Sequence, residues 1–285
     1  DSNEVTIVPP TPVDPNIVKD VEGLDHIVVE EGDNYNYNVK SVIPQDVKGY
    51  KTLTITDTLD SRLEVVGTKV LVDGKVTKFT ADIKGNNVKL ELTRDQLEGL
   101  QGKEVDLQIT AKIKEGTGIV TVPNKAEIQL NNKPAIDSNV VTVIPPTPDE
   151  PNIVKDVNGE KHAIVEHETN FDYNVKSVIP KDTKGYKSLT LKDTLDSRLD
   201  IVSTKVLVDG KPSIFKAIVE GQEVKLTIDR SQLKSIEGKT VNLVITTKIK
   251  EGTPIETIDN KATIQLNDKP EVDSNVVTVV PPTPI

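Results

Sequence analysis

The stretch TLTITDTL at residues 52–59 decides the fold prediction, because its side chains alternate with a period of two. Its aliphatic residues share one face of a predicted strand and its threonines share the other. Asp57 falls on the apolar face, as does Asp193 in the related stretch SLTLKDTL at residues 188–195. A carboxylate in a core is costly unless it is paired or kept protonated. The rest of the chain must therefore supply a partner for each aspartate.

An internal repeat spans almost the whole chain. Residues 13–148 align with residues 149–284 at a constant offset of 136, and about 86 of the 136 aligned pairs are identical. A repeat of this length is typical of a whole domain. We therefore expect two domains, at residues 13–148 and 149–285. Residues 1–12 resemble the end of each repeat, so we interpret them as the tail of a preceding copy in a longer array.

Strand patterns dominate each repeat. Val, Ile and Thr are abundant, and aromatic residues make up 3% of the chain, which favours strands. Asp73-Gly74 and Asp209-Gly210 are type I′ hairpin signals, and residues 93–97 can cap one short helical turn. Roughly nine strands per repeat and almost no helix predict an antiparallel β-sandwich.

Composition excludes several classes of function. The net charge of −10 and a pI near 5.0 argue against binding to nucleic acids or anionic membrane surfaces. The absence of Cys excludes disulfides and thiolate metal sites. The chain has no signal peptide and no long apolar run. The proline-rich joints at residues 9–15 and 145–151 favour extended, semi-rigid spacing between neighbouring domains.

Two further polar residues per repeat break the alternation as Asp57 does. Lys19 shares a predicted face with its aliphatic neighbours in NIVKDV, and Asn124 does so in VPNKAEIQL. The second repeat keeps both, as Lys155 and Asn260. Each repeat thus has one Lys, one Asp and one Asn in core phase, each on a different predicted strand.

This combination of residues suits one reaction. Burial lowers the pKa of a lysine and raises that of an aspartic acid, and a neutral amine is a nucleophile. A protonated Asp57 could donate to the carboxamide oxygen of Asn124, so that Lys19 attacks the amide carbon and ammonia leaves.

Two alternatives stay open from the strand phase alone. The first is a buried Lys–Asp ion pair with Asn beside it. The second is a misassigned strand phase that leaves these residues exposed.

At these residues the chain resembles the isopeptide-forming domains of Gram-positive surface adhesins and pilins, of the fimbrial type, and the C-terminal domains of antigen I/II-type adhesins. The matching motifs are NIVKDV, TDTLDSRL or KDTLDSRL, PNKAEIQL or DNKATIQL, and the trailing DSNVVTV before prolines. The resemblance covers both repeats. It implies two tandem Ig-like β-sandwiches, each with a Lys–Asn bond (Lys19–Asn124 and Lys155–Asn260) assisted by an acid.

The chain departs from that pattern at Asp60 and Asp196, where fimbrial relatives often have Pro. This leaves two candidate acids in each repeat. Strand phase selects Asp57 and Asp193, because Asp60 lies out of register with the inward aliphatic residues.

No other motif predicts a strong site. His26, His162 and His167 lack metal-ligand spacing. The loops Asn131–Asn139 and Asn267–Asn275 carry acids and amides that could bind Ca²⁺, without the regular spacing of a dedicated site. We otherwise expect no cofactor.

The sequence therefore predicts a monomeric, extracellular, cell-wall-anchored stalk segment whose partners are neighbouring repeats, with a host ligand bound by another domain. It is not expected to be an enzyme in the turnover sense. The sequence leaves two alternative functions to compare with this one. These domains could themselves bind a host protein or glycan. A carbohydrate-active enzyme would need paired carboxylates in a cleft, which the sequence does not offer.

Overall fold

The computed structural model describes residues 7–283, and the chain divides into two compact units, Asp1–Pro146 and Thr147–Ile285. Residues 1–6 of the segment interpreted as a preceding tail lie outside the described residues, as do residues 284–285. Each unit corresponds closely to one copy of the sequence repeat.

The described part of the first unit is built almost entirely from strands, with one short helix. Its elements are β1 (Val18–Val21), β2 (His26–Val28), β3 (Asn34–Val42), β4 (Thr52–Thr58), β5 (Leu63–Val72), β6 (Lys75–Val76), β7 (Asp82–Lys84), β8 (Asn87–Thr93), α1 (Arg94–Glu98), β9 (Glu104–Ile113), β10 (Val122–Asn124), β11 (Ala126–Leu130), β12 (Ile136–Asp137) and β13 (Val141–Ile144).

The second unit repeats this order. Its elements are β14 (Val154–Val157), β15 (His162–Ile164), β16 (Asn170–Val178), β17 (Ser188–Thr194), β18 (Leu199–Val208), β19 (Lys211–Pro212), β20 (Ile218–Glu220), β21 (Glu223–Asp229), α2 (Arg230–Ser235), β22 (Thr240–Ile249), β23 (Ile258–Asn260), β24 (Ala262–Leu266), β25 (Val272–Asp273) and β26 (Val277–Val280).

Three sheets enclose the core of the first unit. Two are five-stranded, in the orders β1-β3-β9-β5-β6 and β12-β11-β4-β8-β7, and the third is β10-β13-β2. All pairings are antiparallel except β13 with β2, which is parallel. The inward residues of β3, β4, β8 and β9 form one continuous apolar cluster. The predicted antiparallel β-sandwich class is confirmed, and the second unit has the same sheets.

The strand count exceeds the predicted nine because several strands are very short. The four pieces β2, β6, β7 and β12 have only two or three residues each. A period of two cannot be recognised over so few positions. The predicted hairpin turn is confirmed, since Asp73 and Gly74 have φ angles of 48° and 74°, the left-handed pair that a type I′ turn requires.

The structure divides one predicted strand in two. The sequence favoured a single strand through Asn124, but β10 ends there and β11 begins at Ala126. Strand β10 pairs with β13, whereas β11 pairs with β4. The backbone of Ala126 exchanges bonds with Ser138, whose Oγ accepts from the amide at 2.9 Å. The chain therefore passes from one sheet to another without losing its alternation of buried side chains.

Candidate functional site

The Lys, Asp and Asn of the first repeat each lie on a different sheet of the first unit and point into its core. Lys19 lies in β1, Asp57 in β4 and Asn124 in β10, and they are 1%, 0% and 4% exposed. In each case the neighbouring inward positions are apolar, so strand alternation fixes the side chain inside. The alternative in which these residues lie on the surface is excluded.

The three side chains meet at one carboxyl oxygen. Nζ of Lys19 donates a hydrogen bond to Oδ2 of Asp57, and Nδ2 of Asn124 lies 3.5 Å from the same oxygen. The other carboxyl oxygen, Oδ1, is buried without a hydrogen-bond partner among the described residues. The nucleophile candidate and the amide candidate therefore share a single acid.

The second unit reproduces this arrangement. Nζ of Lys155 donates to Oδ2 of Asp193, and Nδ2 of Asn260 lies 3.5 Å from it. All three residues are buried. Oδ1 of Asp193 is likewise unpartnered within residues 7–283.

Burial shifts the pKa values of the amine and the acid at both sites. Removal from water lowers the pKa of Lys19 and raises that of Asp57, although each opposes the shift of the other. The pKa values of Lys155 and Asp193 shift in the same directions for the same reason. Desolvation favours the neutral amine and the neutral acid. The unpartnered Oδ1 also favours the neutral, protonated acid, because burying a charged carboxylate oxygen without a hydrogen-bond donor is costly.

The orientation of the amide differs from the sequence-based expectation. Asp57 faces Nδ2 of Asn124, the nitrogen that would leave as ammonia, whereas the sequence argument placed the acid at the carbonyl oxygen. The carboxyl group therefore lies between the amine and the leaving nitrogen. A surface cavity of about 440 Å³ is lined in part by Pro123, Asn124 and Lys125.

The competing acid lies outside the site. Asp60 follows β4 and is partly exposed, and its carboxylate accepts from Nε and Nη2 of Arg62, each at 2.8 Å. The guanidinium and the backbone amide of Arg62 lower the pKa of Asp60 to about 2. Asp196 has the same contacts with Arg198.

Sequence reasoning did not assign a role to one polar loop motif. Asn139 binds the backbone of Lys19 at both ends of its amide, since Oδ1 accepts from the Lys19 amide and Nδ2 donates to its carbonyl, each at 2.8 Å. Asn275 holds Lys155 in the same way. The signal was present in the DSN sequence that precedes the last strand of each repeat, which the sequence analysis used only as part of the family resemblance and of the loops considered for Ca²⁺.

The same loops were considered for Ca²⁺. Their amide oxygens serve the protein instead, because Oδ1 of Asn131 accepts from the backbone of Lys51 and Thr52. Asp137 pairs with Lys125. Across residues 7–283, no group of three or more His, Cys, Asp or Glu is placed to hold a metal ion.

The histidines have ordinary surface contacts. His26 and His162 are exposed and hydrogen-bond to threonine hydroxyls, and His167 contacts the carbonyl of Thr253. In the described part of the chain, no helix has the length and apolar character needed to cross a bilayer.

Comparison with known proteins finds similarity to adherence and pilus proteins of Gram-positive bacteria. Platelet adherence protein A of Streptococcus gordonii is 35% identical over 99% of this chain, which spans 8% of the length of that protein. The major pilin subunit BcpA of Bacillus cereus is 23% identical, with 93% of this chain and 66% of the pilin aligned at a TM-score of 0.44. The C-terminal domain of the antigen I/II-family protein AspA of Streptococcus pyogenes is 14% identical, with 93% and 98% aligned at a TM-score of 0.41. No protein-family model matches the chain.

The streptococcal relative is named as an adherence protein rather than an enzyme. The resemblance to Gram-positive adhesins stated from the sequence motifs is confirmed, and the chain is a homologue of a segment of a streptococcal adherence protein.

Proposed function

We propose that the chain is a stalk segment of a Gram-positive surface adhesin, located outside the cell or in its wall. Each repeat is stiffened by an isopeptide bond, Lys19–Asn124 in the first and Lys155–Asn260 in the second. The observation that carries this proposal is the buried contact of an amine, an acid and an amide, repeated in both units. The relative's role in adherence and its homology over nearly the whole chain support the surface location.

The reaction needs no outside reagent. The lone pair of the Lys19 Nζ attacks Cγ of Asn124 and forms the new C–N bond, and the Cγ–Nδ2 bond breaks. The protonated Asp57 gives its proton to Nδ2 as that bond breaks and takes the proton released at Nζ, which contacts its Oδ2, so the acid is regenerated. The products are one amide and one ammonia, which can leave through the cavity beside Asn124. The ion pair that would otherwise be buried is removed.

The alternative of a plain buried ion pair makes a different prediction about mass. If both cross-links form, the intact folded chain is lighter than its sequence mass by two ammonia molecules, and each repeat yields one branched Lys–Asn peptide after proteolysis. Mass spectrometry of the folded chain measures both. An unmodified mass in fully folded protein would exclude the cross-link and leave the ion pair.

A second candidate function is suggested by the name of the streptococcal relative, namely that these repeats themselves bind platelets or another host surface. Surfaces that bind proteins are enriched in exposed aromatic residues. Here all five tyrosines and Phe171 are buried, and Phe79 and Phe215 are half-buried. This favours a spacer over a binding module. Saturable binding of the purified chain to immobilised platelets would instead favour the second candidate.

A further inference from the structure

An edge strand of the second repeat exposes isoleucine where the first repeat exposes charge. Strand β20 pairs on one side only, with β21, and forms one end of its sheet. Ile214, which precedes this strand, and Ile218, which begins it, are 87% and 62% exposed. The equivalent residues of the first repeat are Lys78 and Asp82. Charged side chains commonly protect a sheet edge from other strands, so the second repeat lacks a protection that the first one has.

The backbone of β20 offers hydrogen-bonding groups to a further strand. Glu220 pairs with Glu223 across a two-residue turn, so these two residues form the hydrogen-bonded pair that closes the hairpin. The direction of bonding then alternates along the strand. The N–H and C=O groups of Ile218 are therefore directed to β21, whereas those of Ala217 and Val219 are directed to the open side. An incoming strand can exchange hydrogen bonds with the latter two residues.

The outward side chains of this edge carry opposite charges around an apolar centre. Lys216, Ile218 and Glu220 are exposed and border the same surface cavity of about 280 Å³, as expected for alternate residues on one face of a sheet. The lysine lies two positions before the isoleucine, and the glutamate lies two positions after it. A strand with this order of side chains is complementary to an antiparallel copy of itself.

Of the registers that the backbone allows, one also pairs the charges. Antiparallel pairing about Ile218 places Ala217 of one copy opposite Val219 of the other, so that the two can exchange hydrogen bonds. The same register places Lys216 opposite Glu220 twice. It brings the two copies of Ile218 together in a non-hydrogen-bonded pair, in which side chains are closest. A shift of two residues in either direction would instead set a charged side chain against isoleucine.

We propose that β20 is a self-association surface whose partner is β20 of a second copy of this chain. A second copy fits better than an unrelated extended peptide, because two-fold symmetry supplies both Lys216–Glu220 contacts at once. The contact is small compared with the roughly 1,200–2,000 Å² of a stable interface, so the association is weak and depends on concentration. This proposal differs from the monomer expected from the sequence, and it does not depend on the isopeptide bonds.

The first repeat is not expected to pair in this way. Its edge strand β7 has Asp82 at the position of Ile218, and Thr80 and Lys84 replace the lysine and the glutamate. The same antiparallel register would place Asp82 against Asp82, and like charges directly opposite one another destabilise a pair of strands. The first repeat is therefore a matched control within the same chain.

Disulfide trapping tests the register, because the chain has no cysteine of its own. Lys216→Cys and Glu220→Cys are prepared as separate chains, one labelled with heavy nitrogen, and are mixed and oxidised. In the proposed register the two cysteines face each other with Cα atoms about 4.5 Å apart. Two copies of the same position are about 13 Å apart along the strand, which is too far for a disulfide.

Mass spectrometry then counts the dimers. We expect mixed disulfides to exceed same-site disulfides by about 10-fold or more, because only the mixed pair lies within disulfide reach. Thr80→Cys mixed with Lys84→Cys, at the equivalent positions of the first repeat, should show no such preference.

Sedimentation measures the strength of the association. The average mass of the unaltered chain should rise with concentration, and Ile218→Asp should weaken dimerisation by about 10-fold or more. This variant copies Asp82 of the first repeat, so we expect it to fold, and circular dichroism checks that it does. The control is Ile164→Asp, because Ile164 is 67% exposed on β15, an edge strand of another sheet. It should leave the association unchanged.

Several results would overturn the proposal. One is an unaltered chain that stays monomeric up to millimolar concentration, and another is a mixed disulfide no more abundant than random collision gives. Equal weakening by Ile218→Asp and Ile164→Asp would show general apolar association rather than pairing of β20. Predominance of the same-site Lys216→Cys dimer would show another register and would refute the charge argument. None of these results bears on the loss of ammonia, so the proposed function is tested separately.

Discussion

At the scale of single residues, two aspartates three positions apart in each repeat have opposite environments. Asp57 is buried and its pKa is raised by burial, whereas Asp60 is held ionised by Arg62 on the surface. Only the first can exchange a proton with the lysine and the amide. We therefore expect Asp57→Ala to abolish the cross-link in the first repeat and Asp193→Ala to abolish it in the second.

Asp60→Ala is the matched control for that prediction. It removes a carboxylate from the same strand end without touching the buried site, so the loss of one ammonia per repeat should persist. Intact mass and branched-peptide mapping distinguish the variants. If Asp60→Ala alone prevented the mass loss, the assignment of the acid by strand phase would be wrong.

Asp106 gives the first repeat a pH dependence that the second lacks. Partial burial raises its pKa to about 6, with Lys40 opposing the shift and with Asp20 and Glu104 adding to it. Because the folded-state pKa is raised, the stability contributed by the protonated form is fully present below about pH 4 and is lost as the pH rises through about 6. The equivalent residue in the second repeat is Asn242, which does not titrate.

We accordingly expect Asp106→Asn to stabilise the first repeat at pH 7 by on the order of 1 kcal/mol, a modest value because the carboxylate is partly solvated. The gain should disappear at pH 4. Hydrogen exchange of the full chain, read peptide by peptide at both pH values, measures this, with the second repeat as reference. An equal effect at pH 4 and pH 7 would show that titration of Asp106 is not its cause.

At the scale of elements, the position of Lys19 depends on the side-chain amide of Asn139, which makes the hydrogen bonds that a neighbouring strand would make. Asn139 binds the backbone of Lys19 on the open edge of β1 as a paired strand would, and Ser138 binds Ala126, two residues after Asn124. One short motif therefore holds β1 at Lys19 and the start of β11, which follows the strand of Asn124. These contacts position the side chains without touching the reacting atoms.

Asn139→Ala is expected to slow the cross-link in the first repeat by about 10-fold and to destabilise the uncross-linked form by about 2 kcal/mol, since two backbone groups of Lys19 lose their partner. The rate is measured by the loss of ammonia during refolding, and the stability by urea unfolding in the Asp57→Ala background. The neighbouring exposed Asn132→Ala provides the control. Equal rates for the two asparagine variants would contradict the positioning role.

The sequence predicted the strands and the buried triad because both follow from side-chain alternation, a local property of the backbone. Lys19, Asp57 and Asn124 each interrupted an apolar face, so their burial could be argued without tertiary information. The change of sheet at Lys125 could not, because the alternation continues unbroken across it. Nothing in the sequence singles out Tyr37, because an inward-facing tyrosine is ordinarily part of the core. Its ring lies 4.4 Å from Nζ of Lys19 only because β1 pairs with β3, which the sequence alone does not show.

At the scale of the whole molecule, the proposed bonds would change how the chain carries force. A bond between Lys19 and Asn124 joins the first strand of a repeat to one near its end and encloses the intervening residues in one covalent loop. Tension entering before Lys19 would pass directly to Asn124, and the chain from Asp20 to Pro123 would carry none. In the second repeat, the Lys155–Asn260 bond would have the same effect.

Closing such a loop also restricts the unfolded state. By the chain-entropy relation used for disulfides, a loop of this length is worth roughly 4–5 kcal/mol, a large share of the stability of an ordinary domain. The chain has no disulfide and few aromatic residues to supply it otherwise. The double variant Lys19→Ala, Lys155→Ala should therefore melt more than about ten degrees lower.

Single-molecule pulling should show extension of both repeats in the double variant and almost none in the unaltered chain. The control is Lys125→Ala with Lys261→Ala, which removes two exposed lysines that form salt bridges with Asp137 and Asp273. Identical extension events in the unaltered chain and the Lys19–Lys155 variant would rule out the force-bearing role.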